Sequence, residues 1–169
     1  MGKINYSTKE FERKYTYTGN DLGAVWTKEA TAFRVWAPLA EKVILNLYQT
    51  GDYEVNDLLE QLSMEEDKKG TWFVKKTGDL KGIYYTYTVW NEGIASEATD
   101  PYAKAVGVNG VRSLVIDMSE TNPKEWEADE VPNANNHVTD AIIYELHIRD
   151  LSITENSGIQ NKGKFLGLT

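Results

Sequence analysis

Four short stretches alternate side chain by side chain, and that period of two constrains this chain more than any other feature. In Thr31-Ala-Phe-Arg-Val-Trp-Ala-Pro38, Thr31, Phe33 and Val35 share one face of a strand while Ala32, Arg34 and Trp36 share the other. Pro38 has no N–H for a ladder and stops the run. Lys42–Tyr48 sets Val43, Leu45 and Leu47 against Ile44, Asn46 and Tyr48, and Thr50-Gly51-Asp52 breaks it. Thr71–Lys75 follows Gly70. Ile83–Trp90 follows Gly82, is rich in the aromatic and β-branched residues that fit a pleated surface, and ends at Asn91-Glu-Gly93.

Residues 103–108 and 113–117 predict a hairpin about Asn109-Gly110, a pair that readily takes the positive φ angles of a type I′ turn. Only Val55–Met64, through Leu58, Leu59 and Leu62, carries a helical spacing, so a helix is expected there. Short strands recurring between turn signals predict an all-β fold, a β-sandwich. From Ser119 to Asn136 the composition turns to prolines, carboxylates and asparagines around a lone Trp126, which marks a linker and a boundary before Asp140.

Beyond it, Asp140-Ala-Ile-Ile-Tyr-Glu-Leu-His-Ile-Arg-Asp150 reads as a strand with Ile143, Glu145, His147 and Arg149 on one face and Tyr144, Leu146 and Ile148 on the other. Two readings stand on pattern alone. An edge strand of a sandwich turns its polar face to water. A strand of a (β/α)8 barrel points one face at the barrel axis, and polar residues toward its carboxyl end serve an active site.

Charge and composition remove several functions. A formal net charge of −8 without a basic patch does not suit nucleic acid or anionic membranes. With no cysteine there is neither a disulfide framework nor thiolate chemistry. His137 and His147 are separated and no carboxylate spacing resembles a calcium loop, so neither a metal site nor a cofactor is expected. The polar amino terminus has no apolar signal segment, which gives the expectation of a soluble, cytoplasmic protein.

Six segments in order carry a resemblance. They are Gly19-Asn-Asp-Leu-Gly23, Phe33-Arg-Val-Trp-Ala-Pro38, Gly82-Ile-Tyr-Tyr-Thr-Tyr87, Asp100-Pro-Tyr-Ala103, Asn109-Gly-Val-Arg112 with Val115-Ile-Asp117, and Ile143–Asp150. Together they resemble the front end of type I pullulanases, debranching enzymes of glycoside hydrolase family 13. The resemblance implies an extension over 1–16 and, over 17–119, an immunoglobulin-like sandwich of carbohydrate-binding module family 48. It also implies a linker over 120–139 and the first strand of a truncated catalytic (β/α)8 barrel from 140 to 169. The parent enzyme would hydrolyse α-1,6-glucosidic bonds in pullulan, starch dextrins or glycogen with retention, and its barrel would be the intramolecular partner of the sandwich.

Retaining cleavage needs two carboxyl groups about 5–5.5 Å apart. The family carries its catalytic Asp and Glu residues on later barrel strands that are not in this sequence, so no catalytic residue is assigned and the chain alone is expected to be inactive. Glu145 and Asp150 cannot substitute, because on a strand they lie on opposite faces about 16 Å apart. For sugar binding, Trp72 and Tyr85 are assigned to the sandwich core and Trp36 to packing against a barrel. Tyr48 and Trp90, at strand ends, are the carbohydrate-binding candidates. Where glycogen-binding members of the module family carry Asn-Asn-Trp, this chain has Tyr48-Gln-Thr-Gly51, which argues against binding by the module alone. The alternatives are an autonomous α-glucan-binding module and a sandwich interaction domain without sugar binding.

Overall fold

The alternating runs are satisfied by two sheets that close their apolar faces on each other. A computed structural model describes residues 6–130 and 137–169, so the centre of the expected linker lies outside the described residues. The chain divides into two compact units, 1–123 and 124–169. In chain order the strands are β1 (Gly23–Trp26), β2 (Ala30–Trp36), β3 (Lys42–Tyr48), β4 (Leu58–Ser63), β5 (Glu65–Glu66), β6 (Thr71–Thr77), β7 (Tyr84–Asn91), β8 (Ile94–Ala98), β9 (Ala105–Val106) and β10 (Ser113–Leu114). One sheet has the order β1-β2-β6-β5 and the other β4-β3-β7-β10-β9, with β8 also paired to β7. Every pairing is antiparallel.

Phe33, Val35 and Trp72 from the first sheet meet Val43, Leu45, Leu47, Tyr85 and Tyr87 from the second in one apolar core. The odd-numbered positions of β3 and β7 pair with each other, Leu45 with Tyr87 and Leu47 with Tyr85, so both strands turn the same parity inward. Phe33 and Tyr85 meet edge to face with ring centroids 5.0 Å apart. Trp72 and Tyr85 are therefore core residues, as expected from the alternation.

Two polar anchors sit in this unit. Asp100, 3% exposed, accepts hydrogen bonds from the hydroxyls of Tyr85 at 2.7 Å and Tyr87 at 3.4 Å, and from the Tyr102 N–H at 2.8 Å. Burial outweighs those donors and raises its carboxyl above the ordinary value. On the outer face of the first sheet, Arg34 bridges Asp21 at 2.9 Å and Asp67 at 2.6 Å, with the Phe73 ring 4.6 Å from its guanidinium carbon.

The amino-terminal segment is ordered onto the sandwich. Helix α1 (Lys9–Tyr15) starts at Thr8, whose hydroxyl accepts from the Phe11 N–H, and carries Glu10 and Glu12 first and Arg13 and Lys14 last. Such a short helix depends on tertiary contacts. The Trp36 indole N–H donates to the Tyr15 carbonyl at 2.8 Å, and Lys69 Nζ donates to the Arg13 carbonyl at 2.7 Å.

The expected helix over Val55–Met64 is not formed. Leu58–Ser63 is strand β4, paired with β3 from Ile44↔Ser63 to Tyr48↔Leu58 through an irregularity at Leu47/Tyr48. The ladder offered by β3 overrides a helical spacing of three leucines, two of which, Leu58 and Leu59, remain exposed. The Asn109-Gly110 turn does take positive φ at both residues, 54° and 71°, between strands shorter than predicted.

The second unit shows no barrel strand among the described residues. Residues 141–147 enter no ladder among the described residues, and Ile148–Ile153 is helix α2. A strand without a neighbour leaves its N–H and C=O groups unpaired, whereas a helix closes them locally. Here the Leu151 N–H reaches the His147 carbonyl at 3.0 Å, and His147 Nδ1 caps the start by accepting from the Asp150 N–H at 3.4 Å. Ser152, fully buried, donates to the Ile148 carbonyl and accepts from the Gly163 N–H, both at 2.7 Å, tying the helix to the following turns. Glu145 lies before this helix and Asp150 inside it, so a helix begins within the run expected to be one strand.

Candidate functional site

The outward positions of β3 and β7 are polar where a wet sheet face requires it, and they are joined into one hydrogen-bonded row. Gln61 of β4 donates to Asn46 Oδ1 at 2.7 Å. Asn46 Nδ2 donates to the hydroxyls of Thr86 at 3.0 Å and Thr88 at 2.8 Å. Thr86 donates to Glu97 Oε1 of β8 at 2.5 Å, and Tyr48 donates to the same oxygen at 2.6 Å. The row crosses four strands, so each side chain is fixed by its neighbours as well as by its strand.

At the Tyr48 end the row opens into a cleft of about 650 Å³, inside the ~300–1,000 Å³ range of small-molecule sites. Tyr53, Val55 and Asn56 from the β3–β4 loop line one wall, and Thr99, Val111 and Arg112 line another. Two glycines bring these loops together. A Cβ on Gly107 would lie 2.6 Å from the Gly51 Cα, and the Val108 N–H donates to the Gly51 carbonyl at 3.1 Å.

Arg112 organises the cleft from beneath. Its guanidinium carbon lies 3.8 Å from the Tyr48 ring centroid, while Nη1 donates to Asp57 Oδ1 at 2.7 Å and the Thr50 carbonyl at 2.8 Å. Nη2 reaches the Val55 carbonyl at 3.1 Å. Burial pulls the Asp57 carboxyl upward, but hydrogen bonds from Thr50 and Arg112 more than offset it, leaving Asp57 below its ordinary value. Burial, then the bond to Glu97, pushes the Tyr48 hydroxyl up to about 12, so it stays a neutral donor at physiological pH. The cleft therefore offers a ring clamped on one side by a cation, with carboxylate, amide and hydroxyl groups beside it. That suits a polyhydroxylated ligand with an apolar face.

Tyr48 lies in this cleft, half-buried. Trp90 does not. It pairs with Lys42 at the opposite end of the β3–β7 ladder, with Lys42 Nζ 5.0 Å from its ring centroid, so the structure places the two candidates on the same outer face without bringing them together. Glu97, Asn46, Gln61 and Tyr53 went unrecognised in the sequence. The polar residues at even positions, Asn46 and Thr86 above all, were the available signal. Among the described residues no group of three or more His, Asp or Glu side chains could hold a metal ion.

The chain matches known proteins over the sandwich and beyond it. Carbohydrate-binding module 48 (isoamylase N-terminal domain) matches residues 21–103, a span that includes Tyr48, Asn46, Thr86, Trp90 and Glu97. A pullulanase of Bacillus subtilis is 40% identical over 162 residues, covering 96% of this chain and 21% of its own length. One of Klebsiella aerogenes is 33% identical over 159 residues, with 87% and 14% covered. The chain thus spans about a fifth or less of these relatives. Among solved structures, a pullulanase of Paenibacillus barengoltzii in complex with maltohexaose and α-cyclodextrin superimposes with a TM-score of 0.86 at 47% identity, over 98% of this chain and 25% of the other. The maltotetraose complex of a pullulanase from Anoxybacillus sp. LM18-11 gives 0.79 at 41% identity, over 96% and 22%. The chain matches pullulanases along nearly all of its own length and carries, over residues 21–103, a carbohydrate-binding module 48 domain.

Proposed function

We propose that this chain is the non-catalytic, α-glucan-facing portion of a pullulanase-type debranching enzyme, and that the sandwich contacts glucan at the Tyr48 cleft. The whole protein would hydrolyse α-1,6-glucosidic bonds in pullulan, starch dextrins or glycogen, with retention and with two carboxylates supplied by a barrel that these residues do not build. The observation that carries the binding half is the hydrogen-bonded row from Gln61 to Glu97, ending at the clamped ring of Tyr48. A pyranose laid against such a ring places its C–H face on the aromatic surface and its hydroxyls within reach of the carboxylate and amide edge. Trp90 would add a second, separate contact for a longer chain, with Lys42 beside it.

Electrophoresis through gels containing pullulan or amylopectin tests the binding half. Retardation of the 169-residue chain, reduced in Tyr48→Ala and more weakly in Trp90→Ala, supports the reading. Migration equal to that in a glucan-free gel contradicts it and leaves an interaction domain without sugar binding. Reducing ends released from pullulan by the 169-residue chain itself would overturn the non-catalytic assignment.

A further inference from the structure

Asp100 is buried and does not line the Tyr48 cleft, but its neighbours Ala98 and Thr99 do, and so do Gly110, Val111 and Arg112. Pro101 follows it and confines its backbone to the extended region, so the turn is preset in the sequence. The two carboxyl oxygens face different elements. Oδ1 accepts from the Tyr102 N–H at 2.8 Å, and the Ala103 N–H donates to the Asp100 carbonyl at 3.1 Å, closing the turn. Oδ2 accepts from the hydroxyls of Tyr85 and Tyr87, both on the central strand β7, at 2.7 and 3.4 Å. The turn is thereby pinned to the middle of its sheet.

From the pinned turn, two side-chain links reach the segment that carries Arg112. The Asp100 N–H donates to Ser113 Oγ at 3.0 Å. The Thr99 hydroxyl lies 2.8 Å from the Gly110 carbonyl and 2.7 Å from that of Val111. Ser113 is wholly buried and pairs in the ladder with Tyr85, the residue whose hydroxyl holds Asp100. The Arg112 carbonyl itself accepts from the Gly107 N–H at 2.8 Å. Arg112 thus leaves a backbone held on both sides, and its guanidinium runs beneath Tyr48 to Asp57 and the carbonyls of Thr50 and Val55.

Stability does not explain the carboxylate. A carboxyl buried among hydroxyls and one N–H carries a desolvation cost that an apolar residue of its size would not. What it adds is a pair of acceptors that fix turn against strand in one arrangement. We propose that Asp100 is a positioning residue for the Tyr48 cleft: by pinning the 99–103 turn to β7 it places residues 110–113, and so sets the Arg112 guanidinium against the Tyr48 ring. It rests on the glucan reading only for what the cleft then binds.

Arg112 can be followed without any sugar. In the isotope-labelled 169-residue chain, NMR should find the Arg112 side-chain N–H signals displaced upfield by the Tyr48 ring, a displacement that Tyr48→Ala abolishes and so calibrates. Asp100→Asn keeps the size of the side chain but offers one acceptor oxygen in place of two. It should remove most of that displacement while the amides of the first sheet keep the parent's dispersion. Affinity for maltohexaose should fall about fivefold, the size of one misplaced polar contact. Thr99→Val, which cuts the link to Gly110 and Val111 and leaves the carboxylate in place, should move Arg112 the same way by less. Parent-like Arg112 signals in folded Asp100→Asn, or in Thr99→Val where Asp100→Asn does not fold, make Asp100 a core group only and overturn the proposal. Arg112 released with maltohexaose affinity unchanged separates the clamp from the cleft and also overturns it. Arg112 released by these substitutions in a chain whose parent binds no maltohexaose upholds the positioning, while the glucan reading falls.

Discussion

Lys42–Tyr48 and 142–148 are built from nearly the same materials, yet one is a central strand and the other is not. Both runs put aliphatic residues and one tyrosine around a few polar groups. In the first, Val43 and Leu45 are wholly buried and every residue pairs with β7. In the second, Ile142 is 98% exposed, Ile143 87% and Tyr144 77%, and its last residue, Ile148, begins a helix. The difference lies in neighbours. β3 has β4 on one side, β7 on the other and a facing sheet, whereas 142–147 has no ladder partner among the described residues. Strand propensity is a fitness for a pleated, half-covered surface, and it becomes structure only where that surface is supplied.

The sharpest way to break this contrast is to remove bulk from each run's surroundings and compare. Phe33→Ala, which empties space against Tyr85 in the core, should lower unfolding free energy by about 4 kcal/mol in urea denaturation followed by tryptophan fluorescence. A loss under about 1 kcal/mol would mean that the two sheets are not closed on that residue.

Next in size, Arg112→Ala leaves Asp57, whose side chain is 13% exposed, without its partner and removes the support of Tyr48. Stability should fall by about 3 kcal/mol. Arg112→Lys should recover only part of it, because an ammonium cannot reproduce the flat, multiply bonded contact.

The third effect depends on pH. The folded state raises the Asp100 carboxyl above its ordinary value of 3.8, so between 3.8 and the folded value the native protein binds the proton more tightly than the unfolded chain. Stability from this group is complete below 3.8 and is lost as pH rises through the folded value. In Asp100→Asn that dependence disappears, so the stability of the parent relative to the variant should decline as pH rises across that window. A relative stability that instead rises with pH would show that the tyrosine hydroxyls outweigh burial. The smallest effect is Ile143→Ser, expected within about 0.5 kcal/mol of the parent, since its side chain meets mostly solvent.

Alternation made β2, β3, β6 and β7 readable, because period two with Gly and Pro punctuation admits few other structures. It could not reveal β1 or β8, which are short, carry little apolar alternation and form only against β2 and β7. It misread Leu58–Ser63, where three leucines mimic a helical stripe and the decision belongs to β3. Tyr48 was legible as a strand-end aromatic. Its partners were not, since Arg112 lies far along the chain and only the sheet brings it under the ring. Trp90 illustrates the converse, a strand-end aromatic on the same outer face but remote from the cleft.

The central claim is that the outer face of the β3–β7 sheet holds α-glucan at Tyr48, and calorimetric titration of the 169-residue chain with maltohexaose tests it most directly. The account predicts saturable binding, with the dissociation constant of the Tyr48 cleft raised about tenfold in Tyr48→Ala, as loss of an aromatic platform implies. The urea midpoint of that variant should fall modestly, with both proteins fully folded under the titration conditions. Absence of binding heat, or the same dissociation constant in parent and variant, would contradict it.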